Sequence, residues 1–355
     1  METPGSCSMP RRYCLVSRRL PFSKAGFAAA TAACMLASGI APVQAAQRSN
    51  DAANYPLKPV RLVLGPAAGG PTDGVARRLG ARLSEMWGQP VVIDNRPGAG
   101  NTIATTAAAR ANPDGYTLLL CPLSDAIAPA VFESLRYDFL RDIMGISKIG
   151  TTANVFVVHP GLPVKSVREF IAHARAHPGK LNYGAQGISQ AGYLSMEWLR
   201  RMAGGIDIVY VPYKGASILS VDLLAGRIQA QITNLPSHLS NIQSGKLRAL
   251  AVTTPQRNWR LPEVPAIAET LPGFDVTTWY GVCAPAGIPK PIVRRINADI
   301  VKALNTAELA SRLEQYGVDT EPTTSEQFQS LLRAETMKWR GVVNSIGIAR
   351  QTLAH

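Results

Sequence analysis

The stretch Val60-Arg61-Leu62-Val63-Leu64-Gly65-Pro66-Ala67-Ala68-Gly69-Gly70-Pro71-Thr72-Asp73 sets the fold class. Its first five residues read as a buried strand, and Gly65, Gly69 and Gly70 mark a turn. The stretch ends in the cap of a helix expected at residues 73–87, whose apolar positions Val75, Leu79, Leu83 and Met86 recur at helical spacing. A buried strand feeding a helix through a short turn is half of a strand–helix–strand unit. It aims the unpaired N–H groups of the first helical turn at whatever lies above the turn. That geometry makes a site for an anion or a small polar ligand.

The same alternation continues. Val91-Val92-Ile93 reads as a strand, Thr102–Ala111 as a small-residue helix, Asn112-Pro113-Asp114-Gly115 as a turn, and Tyr116–Cys121 as a strand buried on both faces, as in parallel sheets. A second series opens with strand Val155–His159 and helix Ser166–Ala176, where Ser166 caps and Glu169 completes a capping box. Short strands are expected at Leu181–Tyr183, Val209–Val211, Ala230–Thr233 and Ala249–Thr253. Helices are expected at Ala191–Met202 and Ser217–Leu224, with Gly226 and Gly245 closing helical turns. An irregular proline-rich segment, 254–275, leads to strand Tyr280–Ala284 and helices at Pro291–Leu304, Glu308–Tyr316 and about 325–345. Two α/β series followed by a helical tail predict two lobes, the tail folded back onto the first. Ligands in such sheets bind beyond the carboxyl ends of the strands.

Residues 1–46 read as a removable leader. Arg11, Arg12, Arg18, Arg19 and Lys24 precede an alanine-rich apolar run from Ala25 to Val43, and Gln44-Ala45-Ala46 supplies small residues for cleavage. The run is short and weakly apolar for a membrane anchor. Ser17 to Lys24 holds a partial twin-arginine pattern, with Pro21 where that pattern wants Phe. The leader predicts export from the cytoplasm. Removing the leader lowers the net charge from +13 to about +9. The remaining basic residues are scattered rather than gathered in a stripe with interleaved aromatics, which argues against nucleic acid as a partner. Cys121 and Cys283 fall in apolar strands and read as buried free thiols.

Enzyme signatures fail. Gly65 and Gly70 have P-loop separation, but Pro71 follows instead of Lys. Gly98-Ala99-Gly100 follows a strand, but Ile103 stands where a dinucleotide fingerprint needs its third glycine. Gly187-Ile188-Ser189-Gln190-Ala191 lacks the last glycine of a nucleophile elbow. No catalytic residue, metal or cofactor is expected. His173 and His177, four apart on one helix, have no third ligand in view. His238 is the histidine placed to approach a cleft, and Trp279 stands where it could touch a ligand or a hinge.

Further motifs carry a resemblance. Tyr55-Pro-Leu-Lys-Pro-Val-Arg-Leu-Val precedes Ala67-Ala68-Gly69-Gly70 and Thr72-Asp73. Gly88-Gln89-Pro90-Val91-Val92, Asn95-Arg96-Pro97-Gly98-Ala99-Gly100 and Pro113-Asp114-Gly115-Tyr116-Thr117-Leu118-Leu119 follow. Later come Val211-Pro212-Tyr213-Lys214-Gly215, Asp222-Leu223-Leu224-Ala225-Gly226, Gly245-Lys246-Leu247-Arg248-Ala249-Leu250-Ala251-Val252 and Ala284-Pro285-Ala286-Gly287. In this order the chain resembles Bug-type periplasmic solute-binding proteins, the extracytoplasmic receptors of tripartite tricarboxylate transporters. The resemblance implies a type II periplasmic-binding-protein fold, in which two α/β lobes close over a small organic ligand, commonly a carboxylate, without a cofactor. It implies lobe 1 at 54–152 plus 279–355 and lobe 2 at 153–278, with crossings near Thr152–Val155 and Trp279–Val282. The expected protein is a monomer that presents its small-molecule ligand to membrane transporter subunits. The alternative is a sensing subunit that docks on a membrane histidine kinase.

Carried over position by position, the first wall is Pro66 to Asp73. Ala67, Ala68, Gly69 and Gly70 offer backbone amides, with positive φ allowed at both glycines, and Thr72 offers a hydroxyl. Asp73 is read more as a complement to the helix dipole than as a ligand contact. The second wall is the loop after Tyr116–Cys121, with Ser124 and Asp125, where Pro122 removes an amide donor. Gln186, Gly187 and Ser189 stand where the family has a serine-rich segment. Thr233 precedes Asn234 where many members carry an acidic residue. Tyr213 either covers the ligand or packs at the hinge, and Lys214 either faces solvent or attracts anions at long range. These departures fall on the walls. They imply an altered ligand choice: a less anionic molecule, or one with an amine or amide bonded by Asp125 and Gln186.

Overall fold

The computed structural model describes residues 54–353. The leader, its cleavage site and the partial twin-arginine pattern lie outside the described residues.

Strand β1 (Val60–Leu64) is followed by α1 (Pro71–Trp87). Pro71 in the first turn of α1 has no amide to leave unpaired, and Gly88 closes the helix at φ +62. Next come β2 (Val91–Asn95), a 3₁₀ turn at Ala99–Asn101, α2 (Thr102–Ala109) and β3 (Thr117–Pro122). Two elements that the sequence pattern did not reveal come next: α3 (Leu123–Val131) and, after the short α4 (Phe139–Asp142), the ten-residue β4 (Ile143–Thr152). The segment expected as a loop bearing Ser124 and Asp125 is therefore the start of a helix. All nine residues of α3 are buried, so it shows no amphipathic period, and Pro129 inside it reads as a breaker. Gly145 and Gly150 interrupt β4 for packing reasons. A Cβ on Gly150 would lie 2.2 Å from the carbonyl oxygen of Asp319.

The chain then enters a second sheet. It comprises β5 (Asn154–Val158), α5 (Val167–Ala176), β6 (Asn182–Ala185), α6 (Ala191–Met202), β7 (Val209–Pro212), α7 (Ala216–Leu224), β8 (Ala230–Asn234), α8 (Leu239–Gln243) and β9 (Arg248–Val252). Ser166 caps α5 by accepting from the Glu169 amide at 3.1 Å. The Glu169 carboxylate bonds the Lys165 amide instead of closing the capping box. The return strand β10 (Thr278–Pro285) rejoins the first sheet. It is followed by α9 (Lys290–Leu304), α10 (Ala307–Glu314), the short β11 (Asp319–Thr320) and α11 (Ser325–Ile346).

The first sheet has the order β11-β4-β10-β3-β1-β2 and the second β7-β6-β8-β5-β9. Both are mixed. β1, β2 and β3 run parallel, as do β6, β7 and β8, whereas β10 lies antiparallel between β3 and β4, and β5 lies antiparallel between β8 and β9. The antiparallel strands are those that carry the chain between sheets. Asn154 donates from Nδ2 to Thr278 Oγ1 at 2.9 Å, tying the two crossings together.

Helices α9 and α10 pack on the first sheet with α1. Helix α11 does more than the tail was expected to do, because it touches α3 and β4 and also α6 of the second sheet. Its Trp339 is fully buried, edge-on to Trp198, which stacks on Phe274 at 5.0 Å. One apolar core therefore runs from Val63 and Cys121 through Trp339 to Phe156 and Phe170. Cys121 and Cys283 are free and buried within it.

Candidate ligand-binding site

The loop between β1 and α1 is held from inside. Buried Asp73 accepts from the Gly69 amide and Arg77 Nε, each at 2.9 Å, and from Asn95 Nδ2 at 3.0 Å. Asn95 Nδ2 also donates to the Pro66 carbonyl at 3.0 Å. Burial alone would raise the Asp73 pKa, but these bonds outweigh it and hold the carboxylate below its usual range. Asp73 is thus a strut for the loop and not an outward ligand group. Two details of the sequence reading change. The Gly69 amide is already engaged. The positive φ is needed at Gly69 (+87) only, because Gly70 is extended at φ −85. Ala67, Ala68 and Gly69 are exposed, Thr72 is half-buried, and Gly70 is the N-cap of a 17-residue helix.

The turn after β2 was missed as a site element. Four consecutive residues, Gly98, Ala99, Gly100 and Asn101, have φ of +119, +46, +60 and +75. A Cβ on Gly100 would stand 2.7 Å from Ser189 Oγ, just before α6, and 2.8 Å from the Phe132 ring. This turn therefore meets the segment of Gln186, Gly187 and Ser189 from the other sheet. Gln186 is exposed, Gly187 adopts φ +149, and Ser189 is buried.

Ser124 and Asp125 sit behind that turn. Asn101 Nδ2 donates to Ser124 Oγ at 2.8 Å and to Asp125 Oδ1 at 3.0 Å. Asp125 is 1% exposed and its Oδ2 has no partner. Burial pushes its pKa up to about 7, against the lowering effect of its bond to Asn101 and of the neighbouring Cys121 thiol. The expectation that Asp125 bonds an amine of the ligand is corrected: the carboxyl points into the lobe, because the residues around it form a helix rather than a loop.

At the opposite side, Asn234 Nδ2 donates to the Tyr280 hydroxyl at 3.3 Å, and Thr72 is the second polar partner of that phenol. Tyr280, on the return strand, links the end of β8 to the start of α1 and is 3% exposed. The sequence signal for it was only a strand residue beside a crossing. Thr233 is half-buried on β8. Tyr213 packs rather than covers. Its hydroxyl donates to Asp222 at 2.8 Å and its amide to the Ala185 carbonyl at 2.9 Å. His238 is buried, with Nε2 3.1 Å from Gln231 Oε1, and burial lowers its pKa. Trp279 is buried edge-on to Phe328.

With Asp73 and Asp125 turned inward, the candidate wall residues that remain carry neutral groups: backbone amides, hydroxyls and the carboxamides of Gln186 and Asn234. Such donors hold a carboxylate by hydrogen bonds and helix dipole rather than by a countercharge. Among the described residues, no cluster of three His, Cys, Asp or Glu is placed to hold a metal.

Comparison with known proteins gives the family and the fold. The family described as "Tripartite tricarboxylate transporter family receptor" matches residues 75–348. Protein BugT of Bordetella pertussis is 35% identical over 296 residues, covering 82% of this chain and 90% of BugT. The structure of R. palustris Rpa4515 with adipate superposes with a TM-score of 0.76 at 35% identity, covering 83% of this chain and 99% of that one. MatC (Rpa3494) from Rhodopseudomonas palustris with bound malate gives 0.73 at 31% identity, covering 81% and 100%. The motif resemblance and the type II periplasmic-binding-protein architecture are borne out, and the chain belongs to the tripartite tricarboxylate transporter receptor family, among the Bug-type solute-binding proteins.

Proposed function

We propose that this receptor is exported to the periplasm, captures a small dicarboxylate between its lobes and presents it unaltered, as a monomer, to the membrane subunits of the transporter. The observation that carries the reading is the first wall, where the N-terminus of α1 and its exposed loop offer neutral donors opposite Asn234 and Tyr280. Relatives crystallised with adipate and with malate support a ligand bearing two carboxylates. The inward position of Asp125 removes the reason to expect an amine-bearing ligand. Lobe limits of 54–152 plus 279–355 and 153–278 accord with the sheets that the strands join.

Isothermal titration of the mature protein with malate, succinate, glutarate and adipate tests this reading. Micromolar or tighter binding of at least one is expected, with the bound compound recovered unchanged and a smaller radius of gyration in solution scattering. Tight binding of neutral or cationic solutes alone, or conversion of the bound compound, would overturn it.

A further inference from the structure

Asn101 joins three strand ends. Its own turn follows β2. Its side chain fills the space over Gly65 at the end of β1, where an added Cβ would lie 2.4 Å from Asn101 Cβ. Its amide nitrogen reaches Ser124 and Asp125 in the first turn of α3, just past β3. These are the carboxyl ends of the three parallel strands, where ligands of open α/β sheets bind.

The turn that Asn101 closes is strained. Ala99 and Asn101 both adopt left-handed backbone, which side chains other than glycine rarely do, so the surroundings must over-determine it. Local bonds supply part of this. Thr102 Oγ1 donates to the Ala99 carbonyl at 2.8 Å, and Thr105 Oγ1 to the Asn101 carbonyl at 3.2 Å. The side-chain tether comes from α3. Asp125 meanwhile presents one oxygen to Asn101 and leaves the other without a partner in the core, an arrangement unfavourable for the carboxyl itself. Gly100, one residue before Asn101, faces Ser189 of the opposite lobe.

We propose that Asp125 is a positioning residue for ligand capture: through Asn101 it fixes the 98–101 turn in the shape that meets the Ser189 segment and completes the first wall. The proposal rests on the binding reading above. What Asp125 contributes is an acceptor at Oδ1. An isosteric amide, turned to present its oxygen, supplies the same acceptor, whereas a methyl group does not.

The test compares Asp125→Ala, Asp125→Asn and Asn101→Gly in the mature protein. Glycine accepts the left-handed backbone, so Asn101→Gly removes the tether, together with the side chain over Gly65, without adding backbone strain; that variant serves if Asp125→Ala fails to fold. Two readouts are taken: amide hydrogen exchange over residues 98–103 without ligand, and titration with adipate. Exchange over 98–103 should rise at least tenfold in Asp125→Ala and Asn101→Gly and stay near wild type in Asp125→Asn. Adipate affinity should fall about tenfold in the first two and be retained in the third. Unchanged exchange in both tether-breaking variants overturns the proposal. So does faster exchange with undiminished affinity, or damage from Asp125→Asn equal to that from Asp125→Ala. If the wild-type protein binds no dicarboxylate, the ligand reading fails on its own, and the exchange data still decide whether Asp125 holds the turn.

Discussion

Asp73 and Asp125 are both buried carboxylates in the first turn of a helix, and they differ in what surrounds them. Asp73 has three donors and is held below its usual range, so its stabilising contribution is lost on acidification. Its role was legible, since an acid three residues past a glycine turn marks a helix start. Asp125 has one strong donor and is shifted up to about 7 by burial. The titratable side chains bearing on it are Cys121 of β3 and Tyr137 beyond α3, both also raised by burial, with Asn101 the neutral partner. The sequence marks Asp125 only as a loop residue of the second wall; its burial was not legible, because it depends on a helix that has no apolar period. The folded state binds the Asp125 proton between about pH 4 and 7 and the unfolded state does not, so ionising it on the alkaline side opposes folding. Wild-type stability should fall relative to Asp125→Asn as pH rises through that window, by up to about 1.4 kcal/mol per pH unit. Urea denaturation of both proteins at pH 5 and pH 8 measures this. A constant difference between them would show that the carboxyl does not titrate there.

At the scale of elements, the period of the sequence located what has one exposed face. α1, α6 and α9 fall within two residues of expectation because their polar positions alternate with buried ones, and β1 does so as a short apolar run ended by a glycine turn. β4 escaped notice because its glycines serve β11 and α11, contacts far away in sequence. The loop between β1 and α1 was located correctly, but its two glycines do different work. Gly69 needs its positive φ. Gly70 does not, and a Cβ built there meets only the Ala67 carbonyl at 3.8 Å. Gly70→Val should therefore leave the melting temperature of the empty protein within about 2 °C while adipate binding is lost, because the added side chain occupies ligand space. Gly69→Val should lower stability by about 1–2 kcal/mol through backbone strain alone. Paired melting and titration curves separate the two. A large stability loss in Gly70→Val would make the loop architectural.

For the whole molecule, the sequence foretold two lobes but not how they are fastened. The fastenings join segments far apart in the chain, which no local pattern encodes. On one side Trp339 of α11 packs with Trp198 and Phe274, and Lys338 lies 3.3 Å from Asp275. On the other, Arg260 in the proline-rich connection reaches Asp319 at 2.9 Å, and Pro236, just after β8, presses on Gly317 before β11. A Cβ at Gly317 would stand 1.9 Å from Pro236 Cγ, about half a normal carbon–carbon contact. Because packed interiors do not yield at that distance, Gly317→Ala should act as a wedge that pivots the lobes apart about the α11 contact. Gly317 also has φ +71, so alanine there adds backbone strain. Gly347 has φ +70 with nothing within 4 Å, and Gly347→Ala isolates the strain from the wedge. Gly317→Ala should increase the radius of gyration of the empty protein and weaken adipate binding about tenfold, and Gly347→Ala should do neither. Equal behaviour of the two variants would mean that the Pro236 contact does not set the spacing of the lobes.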